Sequence, residues 1–209
     1  MIIFGKTIYE NKLGISDRDR GIYKQLLQNL DYTYSGSGGE QRDISHISHE
    51  KNVLEHPNLL HLKNKIMQEF YTFKHQAMRY KNKFEIVRSW IAKSEPGQSS
   101  NFHNHNNCMW SGVYYVDVPQ KSGGITFENF DVQRFQLQVL DYNENNSDKV
   151  TIVPETDTII FFPSEVYHKI ETNESNMTRY SIAFNWLPIG EIGDDTSDSF
   201  INNLQNVPK

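Results

Sequence analysis

From Phe84 onward the chain changes its hydrophobic period, and that change limits the possible folds more than any other feature. Eight short runs follow: Phe84–Ala92, Trp110–Val118, Gly124–Glu128, Gln136–Asp141, Lys149–Pro154, Thr158–Phe162, Tyr167–Thr172 and Thr178–Leu187. Each is rich in β-branched and aromatic residues, which suit a pleated, half-buried surface. Turn signals divide them, most plainly Pro119-Gln-Lys-Ser-Gly-Gly124 and Asn143-Glu-Asn-Asn-Ser-Asp148. Short strands at this spacing predict a sandwich or barrel.

The residues before Phe84 read differently. Ile2–Tyr9 has strand character, and a helix is expected over Ser16–Leu30, with Ser16 or Asp17 as N-cap and Ile22, Leu26, Leu27 and Leu30 on one face. Tyr34-Ser-Gly-Ser-Gly-Gly39 is a loop but not a phosphate loop, since no Gly-Lys-Ser/Thr follows. A second helix is expected over Pro57–Tyr80, where Leu59, Leu62, Ile66, Phe70, Phe73 and Ala77 recur at steps of three and four. Its apolar stripe should lie on the outside of a sheet. The expected fold is α+β and mainly β, with helices first and a sandwich second. We divide it into N-terminal support (residues 1–83), a β core (84–188) and a polar tail (189–209) within one structural domain. The tail's Phe200–Leu204 patch is expected to dock on the domain or on a second subunit, so a homodimer is compatible.

Composition excludes some functions. A net charge of −5 and a pI near 5.9 leave no broad cationic surface for nucleic acid. A single cysteine, Cys108, excludes an internal disulfide and fits a reducing compartment. No run of about 18 apolar residues is present to span a membrane, and the apolar N-terminal run is short for a signal peptide. A cytoplasmic location is therefore expected, and the Asn-x-Ser/Thr sequons at Asn145, Asn173 and Asn176 are read as chance matches.

Three of the eight histidines stand out. His103 and His105 are separated by one residue, so on a strand they share a face. His168 follows the apolar run Thr158–Pro163 at the start of another strand. Two ligands from one segment and one from a remote strand would occupy one face of a metal, leaving the other open, as in facial-triad iron(II) oxygenases. The usual triad holds a carboxylate where this chain has His105. A competing register takes His105 and Asn107 as the pair, although a neutral amide is a poor ligand for a transition metal. Arg179 and Ser181 share a face of the last strand; a guanidinium fork and a hydroxyl suit a carboxylate, such as the far end of 2-oxoglutarate. Tyr115 can offer its phenol to the same group.

Plainer readings apply to other residues. His46 and His49 are taken as solvated loop residues, and His56, His61 and His75 as carrying no chemistry. Trp90 and Trp186 are core candidates, either of which could wall a pocket, and Asn185 is a further candidate for that wall. Cys108 is read as an inert thiol near the proposed metal.

The order of the motifs carries a resemblance. Phe102-His-Asn-His105, Ser111-Gly-Val-Tyr-Tyr-Val116, Gly123-Gly-Ile-Thr-Phe127, Phe162-Pro-Ser-Glu-Val-Tyr-His168 and Thr178-Arg-Tyr-Ser-Ile-Ala-Phe-Asn185 resemble the 2-oxoglutarate/iron(II) oxygenases found in marine bacteria and their phages, and more distantly the prolyl hydroxylases. The resemblance covers Trp90–Leu187 and departs at Asn106, where the family pattern has proline. It implies a double-stranded β-helix, or jelly roll. It matches His103, His105 and His168 to the metal positions, and Arg179, Ser181 and Tyr115 to the co-substrate site.

The function expected is oxidation of a substrate C–H bond using iron(II), 2-oxoglutarate and O2, with release of succinate and CO2. The substrate would be a small molecule such as an amino acid, or a peptide such as peptidyl proline. Two rivals are a cupin-like three-histidine enzyme without 2-oxoglutarate, and a non-catalytic jelly-roll module. The segment Tyr34–Glu50 and the loop after Phe127 are expected to form a lid.

Overall fold

The structure, a computed structural model, describes residues 5–35, 44–129, 138–143, 146–194 and 196–204. The N-terminal strand is β1 (Tyr9–Lys12), later than the expected Ile2–Tyr9; residues 5–8 form no strand, and 1–4 lie outside the described residues. Helix α1 (Asp17–Gln28) starts where Ser16 accepts a hydrogen bond from the Asp19 amide, as its N-cap identity predicts. Strands β2 (Tyr32–Tyr34) and β3 (His46–Ser48) follow. Helix α2 (Leu60–Phe73) begins after a 3-10 turn at Pro57–Leu59 and ends in a π-helical turn, Lys74–Met78. That turn rotates Ala77 off the apolar stripe and leaves it exposed, while the expected Leu59, Leu62, Ile66, Phe70 and Phe73 are buried.

The β core comprises β4 (Lys83–Ser94), β5 (Trp110–Asp117), β6 (Ile125–Glu128), β7 (Lys149–Ile152), β8 (Thr158–Pro163), β9 (Tyr167–Ile170), β10 (Arg179–Ile192) and β11 (Ile201–Leu204). Of the strand expected over Gln136–Asp141, the first two residues lie outside the described residues and Gln138–Asp141 forms no strand. One large sheet has the order β1-β8-β5-β10-β4-β3-β2, with β11 folded back on β10; a second has the order β7-β6-β9. All the strand pairs are antiparallel. Among the described residues this is a mainly β jelly roll with two α-helices, and the tail segment docks on the chain's own sheet.

Strand alternation builds two cores. The helix-facing residues Trp110, Tyr114, Phe161, Phe184 and Trp186 pack with Phe70 and Phe73 of α2, and Phe70 stacks on Trp186 at 4.0 Å between ring centroids. Between the sheets, Val113, Tyr115, Ile125, Phe127, Ile160 and Phe162 form a smaller cluster. The candidate site lies on this inner face. Its floor comes from β10, where Arg179, Ser181, Ala183 and Asn185 alternate inward and pair with Ser94, Ala92, Trp90 and Arg88 of β4.

Candidate active site

His103, His105 and His168 come together, with one ligand nitrogen from each lying within 4.8 Å of the others. The ring centroids are 4.4 Å apart for His103 and His168, 5.1 Å for His105 and His168, and 5.3 Å for His103 and His105. The segment carrying the pair is not the strand expected from its spacing. His103 makes a single antiparallel bridge to His168, and Asn104 to Asn107 are irregular. Asn107 is exposed with φ of 59°, in the left-handed region that asparagine tolerates.

Every ring in the cluster has its Nδ1 occupied. His103 Nδ1 lies 2.9 Å from the Asn101 carbonyl and His168 Nδ1 lies 3.0 Å from the Val166 carbonyl, so each donates an N–H there. His105 Nδ1 lies 2.8 Å from Ser111 Oγ and 2.9 Å from Asn185 Oδ1. That leaves the Nε2 lone pairs of all three for a common partner. Burial, then the neighbouring His103, hold His105 down at about 4 and His168 at about 3, so both are neutral, metal-ready bases at pH 7. No carboxylate joins the cluster among the described residues.

Aromatic rings wall this cluster. Phe162 and Phe127 sit 4.7 and 6.0 Å from His168 between centroids, and Trp90 meets the edge of His105 at 5.5 Å. Trp186, by contrast, is a core residue on the opposite face. Cys108 is half-buried with its thiol on the His105 and Asn106 carbonyls. His46 is not a solvated loop residue: it lies in β3, half-buried against Tyr34 at 4.4 Å, with Nδ1 3.3 Å from Gln98 Oε1.

The second half of the site surrounds Arg179, which is only 2% exposed. Its Nη1 donates to the Ser122 and Gly123 carbonyls at 2.7 and 3.0 Å, and Nη2 donates to Ser94 Oγ at 3.1 Å. None of these partners is a carboxylate, so the buried cation is solvated by dipoles alone; burial lowers its pKa while the Tyr115 phenol counteracts this. Tyr115 pairs with Ser181 across β5 and β10, and burial pushes its phenol up to about 12 even though Arg179 pulls it down. The hydroxyls of Tyr115 and Ser122 are buried with no hydrogen-bond partner. Ser181 Oγ lies 3.5 Å from the Ala92 carbonyl, a long contact. A guanidinium with spare donors beside two unpartnered hydroxyls offers the donor set that an anion would need. Ser122 was not foreseen from the sequence, because its loop position next to Arg179 depends on a contact 57 residues away in the chain.

Residues 88–185 match the family described as "Putative 2OG-Fe(II) oxygenase". The match spans 98 of the chain's 209 residues, and over that stretch the chain is similar to the 2-oxoglutarate/iron(II) oxygenases. The match indicates a 2-oxoglutarate-dependent oxygenase, an enzyme of the oxidoreductase class. No curated protein matches the chain by sequence. Among solved structures, the oxygenase is similar to the non-heme alpha-ketoglutarate-dependent epimerase SnoN from nogalamycin biosynthesis, with 10% identity, TM-score 0.67 and coverage of 98% of this chain and 91% of that one. A prolyl-4-hydroxylase from Pseudomonas putida gives 15% identity, TM-score 0.57 and coverage of 86% and 92%. HygX from Streptomyces hygroscopicus, solved with nickel, 2-oxoglutarate and hygromycin B, gives 9% identity, TM-score 0.62 and coverage of 88% and 83%. These likenesses establish the double-stranded β-helix fold. No helix among the described residues is long and apolar enough to cross a membrane.

Proposed function

We propose that this oxygenase hydroxylates a C–H bond of a small-molecule or peptide substrate, using iron(II) held by His103, His105 and His168. The observation that carries the reading is the pairing of two incomplete sites on one face of the jelly roll. Three free Nε2 atoms lie at one end, and the buried Arg179 with the unpartnered Tyr115 and Ser122 hydroxyls lies at the other. Both fit 2-oxoglutarate, which has a chelating end and a distal carboxylate.

When bound, iron(II) with 2-oxoglutarate and O2 supplies the oxidising power, with succinate and CO2 leaving as the substrate gains a hydroxyl. The protein's own residues bind, orient and shield. Arg179 offers a charged, two-pronged donor to the distal carboxylate, and Tyr115 and Ser122 add O–H donors that otherwise waste their hydrogen bonds in a dry interior. Ser181, next along the same face, closes that end of the cradle. Phe127, Phe162 and Trp90 shield the His105 and His168 side of the cluster, while His103 is exposed. Trp90 faces the remaining side, where the substrate would enter, and Arg88 extends that side.

The test is turnover of 2-oxoglutarate to succinate by purified protein supplied with iron(II), with or without added substrate. His168→Ala and Arg179→Ala should each abolish it. Undiminished turnover in both would sink the assignment.

A further inference from the structure

Neither half of this site uses the polar cluster behind His105. Ser111 Oγ donates to Asn185 Oδ1 at 2.9 Å and meets Ser164 Oγ at 2.8 Å, and both oxygens that contact His105 Nδ1 belong to this group. Ser111 and Ser164 are 0% and 1% exposed, so water does not substitute for them. The members come from β5, the turn after β8, and β10, which meet only in the folded sheet.

The protons in this cluster have one consistent arrangement. The Asn185 amide oxygen can only accept, and the single Ser111 proton is already directed at it. What faces His105 is therefore lone pairs. They require a hydrogen on Nδ1 and leave Nε2 bare, pointing toward His103 and His168. A carboxylate oxygen at this position brings no proton of its own, so the Asn185 amide oxygen would be left facing another acceptor. Histidine in place of the usual acidic ligand is thus matched by its surroundings.

We infer that Asn185 and Ser111, backed by Ser164, are positioning residues that fix His105 as an Nδ1–H imidazole and commit the centre to three neutral ligands. The inference rests on the metal role proposed above for the three histidines. Outer partners of ligating histidines typically contribute about 10–100-fold in metal affinity. The experiment is calorimetric titration of Mn(II), which resists oxidation, into the full chain under argon. Asn185→Ala and Ser111→Ala should each bind Mn(II) about 10–100-fold more weakly than wild type. Asn185→Asp retains the acceptor and should restore binding. Imidazole 15N spectra of the metal-free protein should show the His105 proton on Nδ1 in wild type and shared between both nitrogens in Asn185→Ala. A purely structural role would lower the melting temperature without moving the tautomer. Unchanged Mn(II) affinity in both alanine variants, or an Asn185→Asp variant as weak as Asn185→Ala, would overturn the inference. Failure of wild type to bind Mn(II), or undiminished binding by His168→Ala, would instead overturn the metal role itself.

Discussion

The backbones of His103 and His168 exchange both of their hydrogen bonds: His103 N donates to His168 O at 3.0 Å, and His168 N donates back to His103 O at 2.9 Å. Two residues 65 positions apart (168 − 103) are thereby held side by side by main-chain atoms alone. The spacing of this histidine pair therefore belongs to the fold.

Alanine at either position should therefore remove metal binding and leave the fold intact. His103→Ala and His168→Ala are expected to melt within a few degrees of wild type without metal. With Mn(II) added, wild type should melt higher and the variants should not move, because a metal stabilises only the state that binds it. Equal metal-induced shifts in all three proteins would contradict the ligand assignment.

Tyr115→Phe should act in opposite directions on stability and on co-substrate affinity. Its buried hydroxyl has no partner, and an unsatisfied buried polar group costs about 1–3 kcal/mol. Removing the oxygen should raise the melting temperature of the ligand-free protein. If the hydroxyl serves the 2-oxoglutarate carboxylate, binding of 2-oxoglutarate should weaken by about 10–100-fold, the value of one hydrogen bond to a charged group. Titration calorimetry and a thermal melt on the same variant check both signs. A variant that binds 2-oxoglutarate as wild type does would remove Tyr115 from the cradle.

Gly123→Ala should damage both stability and the anion cradle. Gly123 has φ of +81°, and an added Cβ would lie 2.5 Å from the Glu171 carbonyl oxygen and 2.7 Å from that of Thr172. Both contacts are with backbone, so the turn itself must shift, and we expect a loss of about 2–4 kcal/mol. The Gly123 carbonyl also accepts from Arg179 at 3.0 Å. Affinity for 2-oxoglutarate should fall along with the urea midpoint; a fall in the midpoint alone would show that Arg179 keeps its position without this turn.

The metal-free protein should lose stability in mild acid. The folded protein holds His105 at about 4 and His168 at about 3, against an ordinary value of 6.5. Below about pH 6.5 the unfolded chain binds protons that the folded chain refuses, so the contribution present above 6.5 falls away as pH drops toward 4 and then 3. The melting temperature should decline across that window, with a shallower slope in His168→Ala. Identical slopes in the two proteins would mean that other groups govern the acid sensitivity.

Much of the fold was legible because local periods report burial directly. The stripe Leu59, Leu62, Ile66, Phe70 and Phe73 reads as a helix face, and the continuous apolar run from Val113 to Val116 reads as a strand buried on both sides. Reading failed where tertiary contact overrides local pattern. Ala77 left its stripe because the helix ends in a π-helical turn that buries Lys74, whose Nζ donates to the Asn82 carbonyl at 2.6 Å. His46 proved to be a strand residue because β3 finds its partner in β4, far along the chain.

The sequence by itself determined which side chains are available for chemistry: three histidines in two motifs, an arginine and serine one residue apart on the last long strand, and a tyrosine on the strand beside it. Residue type and short spacing encode that much. Only the tertiary structure decided that Ser122 joins Arg179, and that Ser111, Ser164 and Asn185 surround His105. Those groupings depend on the register between strands distant in sequence, set by hydrogen-bond ladders and by the packing of two cores. They also decide the proton on His105, which a linear pattern of residues does not specify.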